Sequence, residues 1–375
     1  MPGANEQAAT PLTVAAFARA CAARSGEARL LAHADGRVLT YAEADARSRR
    51  IARGLLASGI GKGARVGLLL PNGPDWVVAW LAAARIGALV VPINTFYQAR
   101  ELGFALRHAD VALLLTCARF LGNDYLDRLE RAAPSLGEQR GAPLFAPELP
   151  FLREARVWQS DGRERTWTSG GAAALEVLGA GVSEAILEAA EREVAPADPM
   201  VAIYSSGSTG EPKGAIHAHG AVLRHARNLN AYRDILASDR MYSPMPFFWV
   251  GGFVFSLLAV MHAGASLVTE DAFEPGATLA LLERERATLV SGWPHYGSAL
   301  AEHGDFAKRD LRAIRGGNLY AVLPAEKRPA DLGLRATGLG MTETCGPHTM
   351  GHIDEVLPER LRGSFGRPVP GVLHK

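Results

Sequence analysis

Charge of one sign is not in excess: 40 basic residues face 39 acidic ones among 375, for a formal net charge of +1. Such a balance supplies no general field to draw in nucleic acid or an anionic membrane, so any anion this chain binds must be held locally. Cysteine is scarce as well. Cys21, Cys117 and Cys345 are an odd, widely spaced set without a C-x-x-C pair, which argues against a disulfide framework or a zinc site and suits a reducing, cytoplasmic setting. Long apolar runs are missing too. The longest, Val250 to Met261, is broken early by Gly251 and Gly252 and is too short to span a bilayer. The first residues carry Glu6 and lack the basic start and apolar run of a secretory signal, so they read as a flexible start followed by a helix.

The chain contains 48% hydrophobic residues, enough for a large core, and is too long for one ordinary compact domain. In "LTYAEADARSRRIARGLLASGIGKG" Thr40 stands three residues before Glu43, a capping-box spacing, with Ala44, Ile51 and Leu55 on one helical face and Gly59 as a stop. A βαβ unit follows: an apolar run at Val66 to Leu70, a Pro/Asn/Gly turn, a helix from about Asp75, and a second apolar run at Leu89 to Val91. A helix from about Ala99 to His108 and a strand from about Val111 to Thr116 repeat the alternation. Uniformly apolar strands between amphipathic helices predict a parallel sheet covered on both faces. From about Leu121 to Pro199 the pattern weakens, and this stretch reads as an excursion joining two sheet-bearing regions. The alternation resumes at "MVAIYSS" and continues through "RMYSPMPFF", "GASLVTE" and "ATLVSGW".

One loop concentrates the chemistry. "YSSGSTGEPKG", Tyr204 to Gly214, packs four serine and threonine hydroxyls, three glycines and a lysine after an apolar strand. Backbone amides at a strand end, with hydroxyls and glycines that admit close approach, make an anion-binding concavity, and Lys213 adds a mobile positive charge. The ligand expected is a polyphosphate, with a solvated Ser/Gly turn as the plainer alternative. It is not a Walker A loop, because Pro212 precedes Lys213 and Gly214 follows it, and no G-x-G-x-x-G turn follows an early strand.

This loop resembles the phosphate loop of the adenylate-forming superfamily, which contains acyl-CoA synthetases, luciferases and peptide-synthetase adenylation domains. Four more segments resemble that family in its order: the region from "LTYAEADARS" to "VVPIN", the acyl-pocket segment "MPFFWVGGF", the adenylate motif "GLGMTET", and "GSFGRPVPG" at the start of a closing barrel. The resemblance covers nearly the whole chain and is nearest to acyl-CoA synthetases. It implies an α/β fold with two covered β-sheet subdomains and the start of a small β-barrel. The expected parts are residues 1–64, a helical part packed on the second sheet; 65–215, with the phosphate loop; 216–338, the second subdomain; and 339–375, the adenylate motif and barrel start.

The resemblance also implies a reaction, in which a carboxylate attacks the α-phosphorus of ATP to give an acyl-adenylate, and a thiol, commonly coenzyme A, then takes the acyl group. Ser205, Ser206, Gly207, Ser208, Thr209 and Gly210 would hold the phosphates, and Lys213 would follow the pyrophosphate. Ser208 replaces the usual threonine and keeps its hydroxyl. Thr342 would contact the α-phosphate and Glu343 would ligate Mg2+; a helix cap is the plainer reading of "TET". Gly316, Gly317 and Asn318 resemble the loop against adenine, beside Leu339, Gly340 and Met341. Leu339 stands where an aromatic residue commonly stacks, which implies weaker or altered nucleotide binding.

Phe248, Trp249, Gly251 and Gly252 resemble the acyl-pocket wall, with His295, Trp293 and Tyr296 as further candidates. Phe247 resembles part of the same wall, and about half of these aromatics would be ordinary core. The absence of Asp from the segment disfavours an amino-acid substrate. His217, His219 and His225 read as surface residues of a strand and helix, since no carboxylate pairs with them at useful spacing. The partners implied are a small carboxylic acid, no nucleic acid and no membrane span, and a homodimer is compatible with the resemblance. The family's later parts, including a small C-terminal domain, would lie beyond Lys375, so impaired turnover is expected of this chain. A non-catalytic nucleotide or acyl-adenylate binding module, and a phosphotransferase releasing ADP, remain as alternative functions.

Overall fold

The computed structural model describes residues 11–159, 161–205, 210–335 and 337–374. The fold is mixed α/β. Among these residues a seven-stranded sheet runs in the order Lys213–Ala218, Pro199–Ser205, Leu89–Pro92, Arg65–Leu69, Leu113–Thr116, Glu154–Val157 and Ser169–Gly170. It is parallel throughout except at Lys213–Ala218, which returns antiparallel as an edge. The stretch after Leu121 therefore does more than connect: Glu154–Val157 and Ser169–Gly170 complete the far side of this sheet. Their shortness hid them, since four and two residues give too little periodicity to read.

A six-stranded sheet runs Gly316–Gly317, Leu289–Val290, Arg240–Tyr242, Ser266–Thr269, Arg29–His33 and Val38–Thr40. The N-terminal part is thus not only helical. Its hairpin pairs with the second sheet, Arg29–His33 lying parallel to Ser266–Thr269, while the helices Val14–Ser25 and Tyr41–Ala57 flank it. A pairing across more than 200 residues leaves no local signal. The closing segment forms a three-stranded antiparallel sheet of Gly338–Met341, Gly346–Met350 and Arg367–Pro368, and no closed barrel is formed among the described residues.

The local expectations hold. Thr40 and Glu43 close a reciprocal capping box on Tyr41–Ala57, and Gly59 takes the left-handed conformation just past its end, at φ 77°. The helix Pro74–Arg85 is buried on every side, as expected of a helix with no polar face. It joins the two subdomains: Trp76 packs edge-on against Phe247 with ring centres 5.2 Å apart, and Trp80 against Phe253 at 4.9 Å. Phe247 and Phe253 are thereby fixed in the core, which holds the residues between them in register. Asn72 adds a second hold, its amide donating to the Met245 carbonyl at 3.0 Å and accepting from the Phe247 N–H at 2.8 Å. No helix among the described residues is long and apolar enough to cross a membrane.

Candidate active site

Two hairpins meet at a cleft. The first consists of Pro199–Ser205 and Lys213–Ala218; its tip carries Gly210, at φ 91°, a conformation that costs a glycine least. Ser206, Gly207, Ser208 and Thr209 lie outside the described residues. Within the hairpin Tyr204 faces Gly214, and a Cβ on Gly214 would sit 3.0 Å from the tyrosine ring. Gly214 therefore makes room for Tyr204, whose hydroxyl shares a hydrogen bond of 2.7 Å with His108 Nδ1.

The second hairpin, Gly338–Met341 with Gly346–Met350, carries the turn Thr342–Thr344. Its geometry explains its glycines. A Cβ on Gly340 would lie 2.6 Å from the Gly346 carbonyl carbon, and Gly346 has φ 128°. The Thr344 hydroxyl donates to the Gly346 carbonyl at 2.7 Å and closes the turn.

The cleft between them has a volume of about 460 Å³ and is walled by Ser205, Gly210, Pro212, Thr342, Trp249 and, opposite, the turn from Asn94 to Gln98 with Glu101. Lys213 and Glu343 are exposed, and neither makes an ion pair among the described residues. The two hairpins are pinned together by His217 Nε2 and the Thr342 carbonyl, 2.8 Å apart.

At the end of the cleft, Phe248 and Trp249 meet edge to face at 5.0 Å. Phe96 completes the wall, 5.8 Å from Phe248 and 6.4 Å from Trp249. Phe96 and Phe248 also face a smaller cavity of about 30 Å³ between the two sheets. Phe247 is the core member of the cluster, 1% exposed, whereas Trp249 lines the cleft. Sequence reasoning missed Phe96; its signal was an exposed aromatic directly after the Asn94 turn, in which the Asn94 side chain accepts from the Phe96 N–H at 2.8 Å.

The other candidates are placed apart from this wall. Gly251 and Gly252 begin a short helix, and a Cβ on Gly252 would meet the Pro246 carbonyl at 2.1 Å. His295 is exposed near the start of the helix Pro294–Glu302, its ring against Tyr296 at 4.4 Å, and Trp293 is half exposed. Gly316 and Gly317 end the second sheet. At Gly317, φ is 126° and a Cβ would lie 1.9 Å from the Val290 carbonyl oxygen, while the Asn318 amide bonds both backbone groups of Gly292 at 3.0 and 2.9 Å. Leu339 and Met341 present half-exposed side chains.

His219 and His225 are not surface residues, and His217 is half-buried on the edge strand. His219 is fully buried and His225 is 8% exposed, because the helix His219–Asn230 is covered by the N-terminal helix on one side and by the closing hairpin on the other. The His219 Nδ1 accepts from the Val14 N–H at 3.3 Å, and burial pushes its pKa down to about 4. Burial likewise lowers those of His217 and His225.

With this geometry in view, comparison with known proteins is informative. A sequence profile described as AMP-binding enzyme matches residues 17–375. The chain is 33% identical over 281 residues to the putative acyl-CoA synthetase YngI of Bacillus subtilis, covering 74% of this chain and 50% of that protein. It is 29% identical over 356 residues to a feruloyl-CoA synthase of an Amycolatopsis species, covering 89% and 63%. The fold is similar to that of the N-terminal domain of FACL13 from Mycobacterium tuberculosis, with a TM-score of 0.71 at 22% identity over 96% of this chain and 82% of that one. The chain thus spans about half to three-fifths of the length of these two curated relatives.

Proposed function

The chain belongs to the AMP-binding enzyme family, and from that premise we propose that its cleft joins ATP to a carboxylic acid, forming an acyl-adenylate that is passed to coenzyme A. The observation that carries this reading is the shared cleft: Ser205 and Gly210 from the phosphate loop, Thr342 from the distant turn and Trp249 from the aromatic wall all line it.

The chemistry needs alignment more than an enzyme nucleophile. Carboxylate and triphosphate repel each other, so fixed donors must hold both and stabilise charge as it develops at the α-phosphorus. The loop hydroxyls and amides would hold the β- and γ-phosphates, Lys213 would follow the departing pyrophosphate, and Thr342 would donate to the α-phosphate. Gly316, Gly317 and Asn318 would lie against the adenine, with Leu339 covering it by apolar contact. Glu343 fits a Mg2+ ligand: it is an exposed carboxylate, without an ion pair among the described residues and next in sequence to a cleft-lining threonine, and hard cations choose such oxygens. When bound, Mg2+ offsets phosphate charge. The acid would lie against Trp249, Phe248 and Phe96, a wall suited to an aromatic or medium-length apolar acid, and the feruloyl-CoA synthase relative supports the aromatic choice.

The test is product analysis after incubation of the chain with ATP, Mg2+, coenzyme A and a panel of aromatic and medium-chain acids. Acid-dependent AMP and pyrophosphate are the expected products. ADP would contradict the reading in favour of phosphotransfer. ATP binding without either product, even with a relative's C-terminal domain supplied in trans, would favour a binding module.

A further inference from the structure

We propose that His217 is a positioning residue for the nucleotide: its imidazole holds the Thr342–Glu343 peptide in the orientation that ATP and its cation require. This rests on the functional reading above and assigns a role to a residue outside the phosphate loop.

The geometry is specific. His217 sits on the outermost strand of the seven-stranded sheet, whereas Thr342 belongs to the closing hairpin, 125 residues away. Among the described residues no backbone hydrogen bond joins these two hairpins, so the imidazole is the hydrogen-bonded link between them. A carbonyl can only accept, which fixes His217 as the Nε2–H tautomer donating at 2.8 Å. The same carbonyl accepts the Cys345 N–H at 3.0 Å from within the turn. Both of its lone pairs are then used, and the peptide plane is held from two sides. Because a peptide is planar, fixing that C=O also fixes the direction of the Glu343 N–H and the point from which the Glu343 side chain leaves the backbone.

Without His217 the turn keeps its internal bond to Cys345 and can rock about it. The molecule would still fold, and the loss would fall on the cleft.

The experiment compares the wild-type chain with His217→Leu, which removes the donor, and His217→Gln, whose amide can donate to the same carbonyl. MgATP binding is measured by calorimetry, and ATP binding is then titrated against Mg2+. The expected result for His217→Leu is MgATP binding weakened about tenfold, the cost of one hydrogen bond, with a higher Mg2+ requirement and a melting temperature within a few degrees of wild type. His217→Gln should return affinity to within about threefold of wild type. Binding by His217→Leu within twofold of wild type, or equal losses in both variants, would overturn the proposal. Should His217→Leu fail to fold, His217→Gln decides it alone: near-wild-type binding supports the role, and a tenfold loss refutes it. A wild-type chain that binds no MgATP would instead remove the functional reading, and this role with it.

Discussion

Gly340→Ala should separate the fold from the site. The added Cβ would lie 2.6 Å from the Gly346 carbonyl carbon and 2.7 Å from the Gly346 oxygen and the Pro347 nitrogen. All three are backbone atoms, so no side chain can swing away. Carbon atoms in contact rest at roughly 3.5 Å or more, so the strands must part by about 1 Å. Gly340 pairs with Pro347 and Met341 with Gly346, directly at the base of the Thr342–Thr344 turn, and the parting therefore shifts that turn. Overpacking of this kind costs about 1–3 kcal/mol. If the strain appears as misplacement of Thr342 and Glu343, MgATP binding weakens by roughly five- to a hundredfold, at about tenfold per 1.4 kcal/mol. Calorimetric titration of MgATP would measure it. Gly304→Ala is the control, since a Cβ there meets nothing within 4 Å. Gly340→Ala binding MgATP within twofold of wild type would refute the reasoning.

Three further outcomes follow from the structure. Arg85 and Glu191 are almost fully buried, 3.1 Å apart at Nε and Oε1, with Arg19 also bonded to the carboxylate; Glu191→Ala leaves the guanidinium with Asp45 and the Ser48 hydroxyl as its remaining partners and should cost about 1.5–3 kcal/mol in urea unfolding, whereas a loss below about 0.5 kcal/mol would contradict the pairing. Thr40→Ala removes the hydroxyl that accepts the Glu43 N–H, while the backbone N–H at this position keeps its bond to the Glu43 carboxylate, and should lower stability by about 1 kcal/mol, measured by the same unfolding. His219 has its folded pKa depressed from 6.5 to about 4, so the neutral form is the one the fold favours: its contribution is complete above pH 6.5 and is lost as pH falls toward 4. Between pH 7.5 and 5 the loss should be about 2 kcal/mol, and His219→Asn should show less of it; equal slopes for both proteins would refute this.

What was legible in the sequence was local. The Thr40 cap, the Gly59 stop and the helix Ala99–His108 are written within a few residues of themselves. Pairings between distant segments were not. Nothing in Arg29–His33 announces its partner Ser266–Thr269, and nothing in "GAIHAHG" shows that His219 lies against the N-terminal helix. The histidines were misjudged for that reason: they lack carboxylate partners in sequence, but the partner of His217 is a backbone carbonyl and that of His219 a backbone amide. Within the aromatic segment, composition could not separate Phe247 from Trp249. Packing does, because the two tryptophans of Pro74–Arg85 capture Phe247 and Phe253 and leave Trp249 to the cleft.

Hydrogen–deuterium exchange of the chain with rising MgATP tests the central claim most directly. One triphosphate bridging the two hairpins predicts slowed exchange in residues 204–214 and in residues 338–347 together, with a single ATP midpoint for both. Slowing in one segment alone, or midpoints that differ between them, would contradict it.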